Sequence, residues 1–525
     1  MVTNGPVQLC PFMRVAAMLV VGVVAGDACN GDTAVWMYAA ATLLMIVGGL
    51  LLRSKPVPQT CAIFIAIAAV GAWHTALFVQ RETACPAGDE EEWAVVVMSR
   101  PVTREKTVSA DVWIAQGPWA GRKVKVYLQR GTDMDGMCAD DIVMGDGMTV
   151  WAATKPLRPM PHRGGAGHFD YVRWMHANGF MATMYVPVGQ WRLADTSLSG
   201  LSVWQRALYR ALCWRERLLR VLSESGMPDD AEHVVAAMVL GDKTVLDRDT
   251  RDRFSVSGAS HLLALSGLHL GIIYAVLLAL FVRYPWRNVV GQACTLTVVW
   301  LYVLLVGMPP SVVRAGVMIT MYAAFMLMGQ GQLSYNALGV GATAMMLVNP
   351  WCLWDVGFQM SYMAVLAITV VYRPVVNVVR AEWRRRHRIW GWAWSVFVIS
   401  MAAQLGVAPL VMYYFGRFSC YFLLSNFVAV PLATALIYLA LAFLVLSWVP
   451  FVSTVLSAAL AFVAMLLDRA VTMLAALPGA SVEGIGISLV QLFLIYVFLA
   501  CMCVACRYLW KVYCFTSYRL NESAR

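Results

Sequence analysis

The chain has 525 residues, 60% of them hydrophobic and only 13% charged, and a mean hydropathy of +0.66. Soluble domains carry about 45–50% apolar and about 25% charged residues, so the composition excludes a soluble globular protein and points to a membrane protein. The net charge of +10 is explained first by the positive-inside rule and only then by a polyanionic partner.

Apolar runs near the length of about 20 residues that spans a bilayer occur at Trp36–Leu52, Cys61–Val79, His261–Val282, Val289–Val306, Val312–Met328, Trp354–Val371, Trp390–Met412, Tyr421–Leu446, Phe451–Leu474 and Ile487–Cys506. Met13–Ala25 and Tyr335–Val348 are shorter candidates. The expectation is a polytopic α-helical membrane protein of about twelve spans. Arg373–Arg388, with six arginines against Glu382, reads as a cytoplasmic loop. The loop with Arg53 and Lys55 and the tail with Arg507, Lys511, Arg519 and Arg525 fall on the same side. Asp27–Thr33 and residues 80–200 then lie outside, and both termini are cytoplasmic.

The outer region opens with Arg81, Glu82 and the acidic run Asp89–Glu92. Short alternating or β-branched runs follow at Trp93–Met98, Thr107–Ala115, Lys123–Leu128, Met148–Ala153 and Thr183–Val188, separated by Gly, Pro and Asp turn signals. Five short strands predict a small all-β barrel, OB-like in the first instance. Its charges nearly cancel, which favours gating or scaffolding over DNA contact, although such barrels often hold single strands. Cys85 and Cys138 fall in this region, where an oxidising compartment permits a disulfide. Cys501, Cys503 and Cys506 are poorly spaced for zinc, and no metal site is expected.

Val203–Leu222 places Trp204, Leu208, Leu212, Leu219 and Leu222 on one helical period and Arg206, Arg210 and Arg217 on another. It predicts an amphipathic helix at the membrane surface, a collar between barrel and bundle with guidance of an anionic polymer as the lesser reading. Ala231–Leu240 predicts a short helix ended by Gly241, and Asp242–Arg253 a solvated turn with local salt bridges. The organisation expected is therefore N-terminal spans over 1–79, a β domain over 80–200, linker helices over 201–257, a membrane domain over 258–510 and a tail over 511–525.

The string AMVLGDKTVLDRDTRDRFSVSGASHLLALSGLHLGII resembles the core signature of the ComEC family of competence proteins. PPSVVRAGVM (Pro309–Met318), DVGFQMSYMAVLAI (Asp355–Ile368) and the segment Ala408–Thr434 follow in the order that family shows, and GDGMTVWAATKPLRP with GGAGHFDYVRWMHANGF resembles its outer domain. The resemblance covers roughly residues 10 to 510. It implies an inner-membrane channel that moves single-stranded transforming DNA into the cytoplasm. It also implies a cytoplasmic ATPase or helicase for drive, since the chain has no GxxxxGK[ST] loop, and a periplasmic DNA receptor. Many members carry a metallo-β-lactamase-like C-terminal domain; no such motif occurs up to Arg525, so any strand degradation is expected from a separate nuclease.

The residues carry a physical reading of their own. Polar groups at membrane depth are costly and line pathways or pair with one another. His261, Ser266 and His269 sit in one turn-rich segment, and Ser257-Gly258 and Ser266-Gly267 can expose helix-start N–H groups to an anion. Arg314 contacts phosphate or pairs with Asp355. Asp355 and Gln359 share a helical face continued by Ser361 and Tyr362, through which helices hydrogen-bond. Asn426 and Pro431 suggest a broken helix beside a cavity. Trp351, Trp354, Tyr413, Tyr414 and Phe415 read as an interfacial aromatic belt or as base-stacking groups. The expected function is conduction of single-stranded DNA without enzymatic activity or cofactor. An intramembrane hydrolase or metal enzyme built on His261, Ser266, His269 and Asp355 is the alternative, although the spacing matches neither H-E-x-x-H nor G-x-S-x-G. A small-solute secondary transporter is the third, with no inverted repeat in its support.

Overall fold

The computed structural model describes residues 11–83, 91–132, 136–157, 170–281, 288–328 and 334–523. Cys85 and part of the acidic run Asp89–Glu92 lie outside these residues; Cys138 is half-buried, with its thiol 3.9 Å from an Asp140 carboxylate oxygen.

The polar region folds into a mixed sheet of β1 (Glu91–Val97), β2 (Val102–Thr103), β3 (Thr107–Ile114), β4 (Lys123–Gln129), β5 (Gly147–Ala152), β6 (Thr154–Pro156), β7 (Phe180–Val186) and β8 (Trp191–Leu193). The strand path is β6-β7-β4-β3-β1-β5-β8, and β2 pairs with β3. Only Ala153 separates β5 from β6, so the path returns on itself. All pairings are antiparallel except β4 with β7, which runs parallel from Lys123↔Phe180 to Leu128↔Val186. Alternation does what period-2 patterning dictates: Val124, Val126 and Leu128 of β4 point inward with Val108, Val112, Met184 and Trp191, while Lys123 and Lys125 stay outside against the Phe180 ring.

Among the described residues nine helices are long and apolar enough to cross a membrane: Pro11–Ala28, Thr33–Leu51, Pro56–Thr83, Pro310–Leu327, Val356–Val376, Arg388–Phe415, Phe422–Leu446, Pro450–Ala475 and Leu489–Tyr508. Gly267–Phe281, Val289–Leu305 and Tyr335–Val348 are shorter and apolar. The protein is a multi-pass membrane protein with a β domain. Small residues set the closest approach: a Cβ on Gly22 would lie 2.1 Å from the Ala68 carbonyl oxygen, and on Gly26 2.3 Å from that of Ala72, the small-xxx-small packing of membrane helices.

Four expectations need correction. No helix spans His261–Val282; a single turn, Ser260–Leu263, precedes a non-helical step, and the long helix starts at Gly267. Asp242–Arg253 is solvated only in part: Asp247, Arg248, Asp249, Arg251 and Asp252 are exposed and Arg253 pairs locally with Asp249 at 3.3 Å, but its start is buried and its end is helical. Asp242 is 2% exposed and ion-paired to Arg100 at 3.0 Å, and Arg248–Val256 is a helix capped by Asp247. Phe422–Leu446 runs unbroken through Pro431, which neighbouring membrane helices can tolerate. Trp351 and Trp354 are not a belt: Trp351 is 3% exposed and donates to Asp27 at 3.0 Å, and the Arg173 guanidinium stacks 4.6 Å over Trp354.

Those tryptophans hold the β domain to the bundle. Arg173, on the domain's helix Tyr171–Ala177, also pairs with Asp27 at 3.0 Å, and Asn349 donates to the Ala177 carbonyl at 2.8 Å. Arg122 pairs with Glu82, and Arg100 reaches Glu216 at 2.8 Å as well as Asp242. At the same end of the bundle β9 (Arg417–Ser419) pairs with β10 (Ser481–Glu483), and Arg417 bridges to Asp252 at 3.0 Å. The arginine-rich turn Ala381–Arg386 follows the far end of Val356–Val376, a helix about 31 Å long at about 1.5 Å per residue.

Candidate functional site

The first polar cluster is built where the helix Val356–Val376 begins. Asp355 is its N-cap: Oδ2 accepts from the Phe358 backbone N–H and from the Arg314 guanidinium, both at 2.9 Å. Arg314 sits one turn into Pro310–Leu327 and is 3% exposed, with no hydrogen-bond partner for Nε. Gly357 makes room for the pair, since a Cβ there would stand 3.1 Å from the guanidinium and 3.2 Å from the carboxylate. Gln359 donates to the Leu353 carbonyl and accepts from the Tyr414 hydroxyl, each at 2.9 Å. The Tyr362 ring lies tilted against Phe358, with centroids 4.3 Å apart. Of the two roles read for Arg314, the structure gives it to Asp355, and Tyr414 belongs to the same seam.

The second cluster is the broken segment that precedes Gly267. Gly258, at φ +84°, ends the helix Arg248–Val256 and lies against Ser419, whose Oγ would be 2.8 Å from an added Cβ. Ser257 is fully buried and donates to the Phe254 carbonyl at 3.1 Å, a helix-ending bond rather than a free donor. His261 accompanies the turn with Nδ1 3.2 Å from the Gly258 carbonyl. Its side chain is exposed.

At the start of Gly267–Phe281, His269 Nδ1 accepts from the Ser266 backbone N–H at 3.3 Å and stands 2.8 Å from its Oγ. This local capping uses the Nδ1 lone pair, so a neutral ring carries its proton on Nε2. Nε2 is buried without a partner, and the residue is 1% exposed. Ser311 ties the two clusters together by donating to the Leu265 carbonyl at 2.7 Å, and a Cβ on Gly267 would touch Ala315, the neighbour of Arg314, at 3.4 Å. Asn426 is half-buried one residue from the fully buried Ser425; neither its Oδ1 nor the Ser425 Oγ has a partner.

Ser266 and His269 have the distance of a nucleophile–base pair, but Asp355 is committed to Arg314 and Phe358 and does not orient the imidazole. Among the described residues no group of three or more His, Cys, Asp or Glu side chains is placed to hold a metal ion. Sequence reasoning missed Ser311, Ser419 and Ser425. Ser311 stands inside the Pro-Pro-Ser motif and could have been singled out there, whereas Ser419 and Ser425 gain meaning only from what faces them.

Accessibility around Val356–Val376 is unusual. From Val356 to Tyr372 no residue is exposed and only Phe358 is buried, so every face is half-accessible. A helix with one lipid face and one packed face alternates between extremes, as Phe422–Leu446 does. Partial access thus runs the length of this helix, although Gly406 of Arg388–Phe415 packs closely on Met363 and Ala367.

Residues 238–508 match the sequence family described as "Competence protein". The chain is 27% identical over 281 residues to "ComE operon protein 3" of Bacillus subtilis (strain 168), covering 54% of this chain and 34% of that protein. It is 24% identical over 305 residues to "Recombination protein 2" of Haemophilus influenzae (strain ATCC 51907 / DSM 11121 / KW20 / Rd), covering 55% and 36%. The matched part thus spans about a third of each curated relative. No solved structure matches the chain. The family match takes in half of the chain and both polar clusters, from Ser257 to Asn426, and the chain belongs to the competence protein family.

Proposed function

We propose that the protein is the channel through which single-stranded DNA crosses the bacterial inner membrane during natural transformation. The observation that carries this reading is the partly accessible helix Val356–Val376, with Gln359, Ser361, Tyr362 and Tyr414 as half-buried polar groups along it and near it, and an exposed His261 in the same bundle. A conduit for a polyanion must compensate each phosphate for lost water without holding it. Half-exposed amide, hydroxyl and imidazole groups suit that task better than a row of free cations. Arg314 is the clamp that positions the helix start.

The remaining assignments belong to the same reading. The nine long and three shorter helices make twelve spans, with both termini cytoplasmic and the β domain outside. The cyclic path β1-β3-β4-β7-β6/β5 with one parallel pair supports an OB-like barrel. The chain divides into N-terminal spans over 1–79, this domain over 80–200, linker helices over 201–257, the competence membrane domain over 258–510 and a tail over 511–525. A receptor delivers DNA outside, an ATPase or helicase draws it inward, and a separate nuclease removes the other strand. A disulfide between Cys85 and Cys138 fits the same topology.

Reconstituted in a planar bilayer with the voltage positive on the cytoplasmic side, the protein is expected to give current blockades when a single strand is added outside, with dwell times that rise with strand length. A pore current that single strands leave unchanged removes the proposal and favours a small-solute pathway.

A further inference from the structure

We infer that the exposed face of the helix Val203–Ser223 is a track along which one DNA strand runs from the β domain to the membrane passage. The inference rests on the conduit reading and adds where the strand lies before it enters. Along this helix Arg206, Arg210, Arg217 and Arg220 are exposed, with Trp214 among them and Trp204 at the start. Arg206, Arg210, Trp214 and Arg217 fall within one 80° stripe at about 100° per residue. No ion pair or hydrogen bond engages the four guanidinium groups among the described residues, and Arg217 stacks on Trp214 at 4.8 Å.

The apolar face that would let such a helix sink into lipid is already used. Leu208, Tyr209 and Leu212 pack on Val96, Met98 and Trp113 of the β domain, while Leu219 and Leu222 join the core formed by Met227–Leu263 and the helices Phe422–Leu446 and Pro450–Ala475. An interfacial helix binds a membrane through its apolar side; here most of that side is covered by protein, and arginine with tryptophan, beside Val203 at the helix start, is what remains. Cationic side chains interleaved with exposed aromatics suit a single strand, whose phosphates take the charge and whose bases stack. Arg206 to Arg220 covers about 21 Å at about 1.5 Å per residue, room for a few consecutive phosphates of one strand. The stripe starts beside the domain, where Gln205 donates to the Gly121 carbonyl at 2.8 Å, and ends at the segment that leads to His261.

The test is equilibrium binding of a fluorescent oligo-dT to the full chain in zwitterionic nanodiscs across a salt series. Replacing Arg206, Arg210 and Arg217 together by Gln is expected to weaken binding about tenfold or more and to lower the slope of log K against log salt by about 2, at about 0.7 per lost phosphate contact. The triple Lys variant keeps the charge and the slope. Trp214→Ala is expected to cost about fivefold or more through lost stacking. These side chains carry no part of the core, so the variants keep the wild-type melting temperature; if the triple Gln variant is not monodisperse, Arg210→Glu and Trp214→Ala decide by the same readings. Unchanged affinity and slope in the Gln variant overturn the track and leave the conduit standing. Loss seen only in discs of anionic lipid makes the stripe a headgroup surface and also overturns it. A wild-type protein that binds no single strand overturns both.

Discussion

Asp355→Leu is expected to lower the stability of the protein by about 3–5 kcal/mol, because it strands a guanidinium that is almost wholly enclosed. The expectation follows from the direction of burial. Arg314 is 3% exposed and Asp355 is its ion partner at 2.9 Å. The same carboxylate caps Val356–Val376, a contribution of about 1 kcal/mol. Replacing both members of the pair, Arg314→Met with Asp355→Leu, removes the uncompensated charge and leaves only the cap loss, since apolar replacements of buried pairs are often neutral or stabilising. The thermal midpoint in detergent should therefore fall sharply in the single variant and return close to wild type in the double. As Arg314 is assigned to positioning, the double variant should also recover single-strand blockades in a planar bilayer. Recovery of stability without blockades would give Arg314 a direct part in conduction.

The second large effect is expected at Trp351. Its indole is buried, donates to Asp27 at 3.0 Å, meets Phe78 edge-on at 5.3 Å and lies 5.2 Å from the His176 ring. One side chain thus joins the first helix, the third helix, the β-domain helix and the loop leading to Asp355. Truncation of a large aromatic core residue costs about 3–5 kcal/mol. Trp351→Phe keeps an aromatic ring and loses one hydrogen bond, at about 1 kcal/mol, together with part of the indole's volume. In Trp351→Ala the β domain should become sensitive to protease at concentrations that leave the wild type and Trp351→Phe intact. Equal protection of all three would mean that Arg100, Arg122, Arg173 and Asn349 hold the domain without Trp351.

The β domain was legible because its short β-branched and apolar runs are cut by Gly, Pro and Asp turn signals: the five expected runs correspond to β1, β3, β4, β5 and β7, while β2, β6 and β8 have two or three residues and leave no trace. The amphipathic helix Val203–Ser223 was equally legible, but not what its apolar side would meet. Membrane segments hid more, because a uniformly apolar run has no period to mark its ends. The start of the helix at Gly267 rather than His261 depends on His269 reaching back to cap Ser266, which hydropathy does not register. The ion pair of Asp242 with Arg100 joins residues far apart in the chain, and a local reading of a mixed-charge string turns it into solvated surface. Arg314 with Asp355 was within reach, since two opposite charges in neighbouring apolar spans have few other ways to be neutralised.

The most direct measurement is labelling of single cysteines along Val356–Val376 by a membrane-impermeant thiol reagent, in a background from which reactive native cysteines have been removed. Cysteine at Ser361, Ala364 or Ile368 is expected to react, and added single-stranded DNA is expected to slow that reaction, whereas cysteine at the outward-facing Phe493 or Phe498 stays unlabelled in lipid. No labelling at the three central positions, or labelling that single strands leave unchanged, would contradict a hydrated passage around this helix.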